Sequence, residues 1–68
     1  MDKDKLIEAM KRKNISDKQM YDYLGLSRSA WYRKKNGISE FTRSEIEQIV
    51  IYLELDSPVE IFFPLKVS

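Results

Sequence analysis

Arg28, Arg33, Lys34 and Lys35 place four positive charges within eight residues, with no acid among them. Ser29, Tyr32 and Asn36 are interleaved with these cations. Guanidinium and ammonium groups bind polyanions, and hydroxyl and amide groups add directional hydrogen bonds, so the chemistry on offer is recognition of a charged, hydrogen-bonding surface. A solvated helix face would carry the same charges, and charge alone does not choose between the two. Covalent chemistry has little to work with. The chain has no Cys and no His, which removes thiol nucleophiles, the usual zinc-ligand sets and the side chain best suited to proton transfer near neutral pH. Catalysis would rest on carboxylates or lysines. Glu40, Glu45, Glu47, Glu54, Asp56 and Glu60 read as solvated cap and helix-surface positions, with no nucleophile and base pair among them. The expectation is no catalytic residue, no metal, no cofactor and no small-molecule ligand.

The charge is unevenly distributed. Residues 1–36 carry ten Lys or Arg against five acids, hence +5, and residues 37–68 carry two against six, hence −4, which together give the net +1. One half attracts polyanions and the other repels them. A chain of 68 residues has room for a single domain whose small core makes each aromatic count. No apolar run approaches the ~18 residues of a membrane span. The charged start Met1-Asp2-Lys3-Asp4-Lys5 lacks a signal-peptide stretch, so the sequence predicts a soluble, cytoplasmic domain with no membrane partner.

The elements that must position the basic cluster are short helices. Leu6, Ile7 and Met10 form one stripe of a first helix over Asp4 to Lys13, ended by Asn14. Ser16-Asp17-Lys18-Gln19 matches a capping box and opens a second helix with Met20, Tyr23 and Leu24 inward, closed by Gly25. Leu26 turns inward, Ser27 is a good N-cap, and Arg28 to Asn36 form a third helix that Gly37 ends. Ile38 and Phe41 read as loop residues dipping into the core. Thr42-Arg43-Ser44-Glu45 is a second capping box, opening a fourth helix with Ile46, Ile49, Val50 and Leu53 inward. The run Ile49-Val50-Ile51-Tyr52 is β-prone in isolation, but the length and capping of Thr42 to Leu55 favour helix. Asp56-Ser57-Pro58 restarts the chain for one short turn over Val59 to Phe63. After Pro64, Leu65-Lys66-Val67 alternates as a short strand or extended tail would. The fold class is all-α, with five short helices.

Met20, Leu24, Gly25, Leu26 and Trp31, in that spacing within Ser16 to Gly37, resemble the helix-turn-helix of phage Cro and repressor proteins and the wider Xre-like family. Phe41-Thr42, Glu45-Ile46, Ile49, Leu53 and Ile61-Phe62-Phe63 are similar to that family's fourth and fifth helices, so the likeness covers nearly the whole chain. It implies one lambda-repressor-like domain over residues 1–68, with the helix-turn-helix at about 16–36. Two positions depart from the pattern: Tyr21 stands where the family prefers a small residue, and Lys34 where many members place a large apolar one. The stem of Lys34 is expected to lie along Trp31 with its ammonium reaching out to water.

At ~100° per residue, Arg28, Ser29, Tyr32, Arg33, Lys35 and Asn36 share one broad face of the third helix, and Ala30, Trp31 and Lys34 point away. A helix fits the major groove, where arginine donates two hydrogen bonds to guanine and amide or hydroxyl groups read other base edges. The resemblance assigns base reading to Arg28, Ser29, Tyr32 and Arg33. Backbone contacts are expected from Ser16, Lys18, Ser27, Lys35 and Asn36, with the free N–H groups of the second helix facing a phosphate. Asp17 is unhelpful to a phosphate but suits the helix dipole. Tyr32 has a second reading as a plain exposed aromatic, whereas Trp31, Tyr23, Phe41 and Leu53 read as core.

Phe62, Phe63, Leu65 and Val67 concentrate more apolar surface than so small a core covers easily, so they serve a homodimer contact or cap the domain's own core. The function expected is a sequence-specific regulator that binds duplex DNA, acting as a repressor of the phage or mobile-element type. Dimer symmetry then asks for a near-palindromic operator with half-sites ~10 bp apart. The alternative is an antitoxin or other protein-interaction module on the same fold.

Overall fold

The structure, a computed structural model, describes residues 1–63. Five helices follow in order: α1 (Lys3–Arg12), α2 (Asp17–Leu24), α3 (Arg28–Lys35), α4 (Arg43–Tyr52) and α5 (Val59–Phe62). There is no strand among the described residues, and the run Ile49-Val50-Ile51-Tyr52 is helical. The expected extended tail at Leu65 to Val67 lies outside the described residues.

Each of the four longer helices starts on a side-chain cap. Asp2, Ser16, Ser27 and Thr42 accept from the backbone N–H three residues on, at Lys5, Gln19, Ala30 and Glu45. Gln19 and Glu45 reach back to complete both expected capping boxes, which satisfies donors that a helix leaves unpaired at its start. The same four helices also end alike. Asn14, Gly25, Gly37 and Glu54 take positive φ, at 59°, 70°, 80° and 52°. In each case the next N–H bonds back five residues: Ile15 to Met10, Leu26 to Tyr21, Ile38 to Arg33 and Leu55 to Val50. Glycine meets this requirement without strain, asparagine tolerates it, and Glu54 bears the left-handed penalty in full.

Leu6, Ala9, Met10, Met20, Leu24, Trp31, Ile49, Leu53, Ile61 and Phe62 form one buried core. Trp31 is fully enclosed at its centre. Phe41 lies tilted on Trp31 with centroids 5.7 Å apart, and Phe62 meets Phe41 edge-on at 5.6 Å. α2 packs on both α3 and α4, and α1 on α5. The backbone N–H of Asp2 donates to Ile61 O, tying the start of α1 to α5.

Four residues expected inward are outside it: Ile7 and Val50 are half-buried at its margin, and Ile38 and Tyr23 are exposed. Ile38 is 74% exposed; it follows a helix whose closing turn begins at charged Arg33, whereas Ile15, Leu26 and Leu55 follow turns that begin at Met10, Tyr21 and Val50 and pack on the core. Tyr23 is 43% exposed and stacks flat on Tyr52 of α4, with centroids 4.1 Å apart and planes 5° from parallel. Phenol rings keep their hydroxyls wet while covering each other's faces.

Candidate nucleic-acid interface

The Gly25 turn sets α2 and α3 side by side, and the closing hydrogen bond from Leu26 to Tyr21 leads the chain directly into the Ser27 cap of α3. Trp31 fixes the inward face of α3. Its indole Nε1–H donates to Asp17 Oδ1 at 2.8 Å, so the buried ring is anchored on the first turn of α2. Arg28, Ser29, Arg33 and Asn36 are exposed on the other face, with Tyr32 half-buried at its edge. Tyr21, the large residue where the family has a small one, is half-buried against the core.

The four cations of α3 divide into two pairs. Lys35 is held: its Nζ donates to Asp17 Oδ1 at 2.9 Å, and its side chain is only 13% exposed. Lys34 is held as well, donating to Glu45 Oε1 of α4. Its ammonium is therefore enclosed in an ion pair, contrary to the expectation that it reaches water. Glu45 is likewise no solvated surface acid, since the same oxygen accepts the Thr42 backbone N–H of the capping box. Arg28 and Arg33 have no ion-pair partner among the described residues.

Asp17 is the residue whose role the sequence conceals. Besides Trp31 and Lys35, it accepts from the Tyr32 hydroxyl at 3.3 Å through Oδ2. Burial pushes its carboxyl upward, but the hydrogen bonds from Lys35 and Trp31, the Lys35 charge and the Tyr32 hydroxyl outweigh that and hold it below its ordinary value. Glu45 behaves in the same way: burial raises it, and Lys34 and Thr42 together bring it below the usual carboxylate range. The sequence signals only that a buried indole N–H needs an acceptor, without saying that the acceptor is Asp17.

The Tyr32 ring sits between two cations, with the Arg28 guanidinium carbon 5.7 Å and Lys35 Nζ 5.2 Å from its centroid. Both distances lie within reach of cation–π attraction. At the start of α2, Ser16 exchanges hydrogen bonds with Gln19 in the capping box. Lys18 pairs with Asp22 at 2.7 Å on the exposed surface of α2, and the hydrogen bond and charge of Asp22 hold the ammonium above its ordinary value. Ser27 Oγ caps α3, and Asn36 Oδ1 accepts from Lys3 Nζ of α1. Base-reading candidates Arg28, Ser29, Tyr32 and Arg33 thus share one face. Ser16, Lys18, Ser27, Lys35 and Asn36 lie on the same two helices or their caps, each already engaged within the chain.

Phe62 is in the core, and Phe63 beside it is 56% exposed. Leu65 and Val67 lie outside the described residues. No helix is long and apolar enough to cross a membrane among the described residues.

No curated protein and no solved structure matches the chain. The Cro/C1-type HTH DNA-binding domain family matches residues 5–62, a span running from the first turn of α1 to the end of α5. With the capped α2, the Gly25 turn and the exposed basic face of α3 all inside that span, the chain belongs to the Cro/C1-type helix-turn-helix DNA-binding domain family.

Proposed function

We propose that this DNA-binding domain is a sequence-specific transcriptional regulator that acts as a homodimer on a near-palindromic operator and represses by occluding polymerase. The observation that carries the reading is the division of charge on α3: Lys34 and Lys35 are held by Glu45 and Asp17, which leaves the guanidiniums of Arg28 and Arg33 outward and without an ion-pair partner among the described residues. Arginine forks bind guanine bidentately, each such pair contributing roughly 1–3 kcal/mol of discrimination. Ser29 and Tyr32 offer hydroxyl and apolar contacts to neighbouring base edges, and Ser16, Lys18, Ser27 and Asn36 face the phosphates on either side. Phe63, with the residues after it, supplies the contact to a second copy.

Selection of random duplexes by the purified protein at ~150 mM salt, where purely electrostatic binding is suppressed, tests this directly. Recovery of a short inverted repeat supports a dimeric, sequence-reading regulator. Failure of the folded protein to enrich any sequence overturns the reading.

A further inference from the structure

Three donors from one helix converge on a single carboxylate. Trp31, Tyr32 and Lys35 of α3 all reach Asp17, the first residue of α2. One anchor would hold the buried indole; the two additional donors come from the edge of the outward face. Tyr32, held at its hydroxyl, presents its ring to Arg28. Lys35, held at its ammonium, has lost both most of its exposure and its free charge.

We propose that Asp17 is a specificity-determining positioning residue, which presets Arg28 through Tyr32 and withholds Lys35 from the DNA backbone. The inference rests on the reading of α3 as the base-reading helix. Its physical content is an exchange between two kinds of binding. A free Lys35 at this position adds a phosphate contact that strengthens binding to every sequence, while a fixed Tyr32 narrows the directions in which Arg28 extends. Asp17 suppresses the first and enforces the second. Its own negative charge, at the end of α2 where N–H groups attract phosphate, acts in the same sense against sequence-independent binding.

The test compares Asp17→Asn, Tyr32→Phe, Lys35→Ala and, as the reference for the base pair that Arg28 reads, Arg28→Ala with the wild-type chain on its selected operator, on single-base variants and on random duplex, across a salt series. Asp17→Asn keeps an oxygen for the Trp31 N–H and releases Lys35. We expect several-fold tighter binding to random duplex, a log K against log salt slope steeper by about 0.9, the value for one added phosphate contact, and about ten-fold less discrimination at the base pair that Arg28→Ala also relaxes. Tyr32→Phe keeps the ring and removes its anchor, so it loses discrimination at that base pair with the salt slope unchanged. Lys35→Ala leaves the slope unchanged. A residue that merely holds the fold together would weaken operator and random duplex alike. Equal weakening by Asp17→Asn with an unaltered base profile overturns the proposal, as does a slope that falls by about one unit in Lys35→Ala. If the wild-type chain enriches no sequence, the base-reading helix and this inference fall together; if it enriches an operator whose profile Tyr32→Phe leaves unchanged, only this inference falls.

Discussion

Lys34 of α3 and Glu45 of α4 form an ion pair whose side chains are 15% and 12% exposed. Because Glu45 Oε1 also completes the capping box with Thr42, one oxygen joins the end of α3 to the start of α4. Removing one member of such a pair leaves the other desolvated without its partner, whereas replacing both by groups of similar shape is often neutral. Glu45→Ala therefore destabilises by roughly 2 kcal/mol, below the fully buried range because the pair retains some solvent. Lys34→Leu with Glu45→Gln keeps the cap and adds apolar contact, and its urea midpoint lies within error of wild type or above it. A double variant as unstable as Glu45→Ala would show that the charges themselves are required.

Of the three carboxylates held below their ordinary values among the described residues, Asp17, Glu45 and the exposed Glu54, acid should expose the two half-buried ones together. Asp17 and Glu45 both lie below their ordinary values in the folded chain, so between those values and about pH 4 the unfolded chain binds more protons than the folded one. Their stabilisation is fully present above that window and is lost as pH falls through the folded values. Urea unfolding followed by the single tryptophan should give a free energy that is flat from pH 7 to 5 and declines below about pH 4.5. Asp17→Asn flattens the decline and removes the acid-dependent change in native Trp31 emission, since the indole N–H donates to that carboxylate. A decline of unchanged steepness in this variant would contradict the assignment.

The four positive-φ helix ends make a paired backbone prediction. Gly25 has open space where a Cβ would be placed, so Gly25→Ala meets no clash and costs only the left-handed backbone penalty, about 1 kcal/mol. Glu54 is a charged residue in the same conformation, at φ 52°. Its carboxylate pairs with Lys13 in an exposed bridge, and such bridges contribute little. Glu54→Gly should thus raise the thermal midpoint while Gly25→Ala lowers it; a fall in both would mean that the Lys13 bridge outweighs the backbone strain.

Local signals carried most of the fold. Both capping boxes, the Gly25 and Gly37 stops and the stripe around Trp31 are read within a few residues, and each forms as expected. What escaped lies between distant positions. Asp17 meets Trp31, Tyr32 and Lys35 across 14 to 18 residues, and a helical projection of α3 alone places Lys35 on the outer face with no indication that an acid on α2 binds it. Lys34 reads as a snorkelling cation because Glu45 lies in another helix, eleven residues on. Tyr23 falls on the inward stripe of α2, yet the partner that meets it is Tyr52, itself partly wet, and the stack closes the surface of the α2–α4 contact. Periodicity tells which side of a helix faces its neighbours, and it does not tell how deep each residue on that side lies.

Phe62 and Phe63 are adjacent in sequence and opposite in surroundings, and that difference separates folding from self-association. Phe62 is buried edge-on to Phe41, so Phe62→Ala opens a core cavity and costs about 3–5 kcal/mol, which a domain of this size does not tolerate. Phe63 is more than half exposed and lines a groove of about 400 Å³ whose walls mix apolar Met1, Phe41, Ile46 and Phe62 with polar Lys34, Ser39 and Glu40. Substituting Phe63 by Ser removes little from the core, so the variant should keep its helical circular dichroism and melt within a few degrees of wild type. If this end of the domain supplies the dimer contact, sedimentation equilibrium should show the Phe63→Ser chain as a monomer at concentrations where wild type is a dimer. Binding to a two-half-site operator should then weaken far more than binding to a single half-site. A Phe63→Ser chain that remains dimeric would move the interface to a different face and leave base reading by α3 untouched.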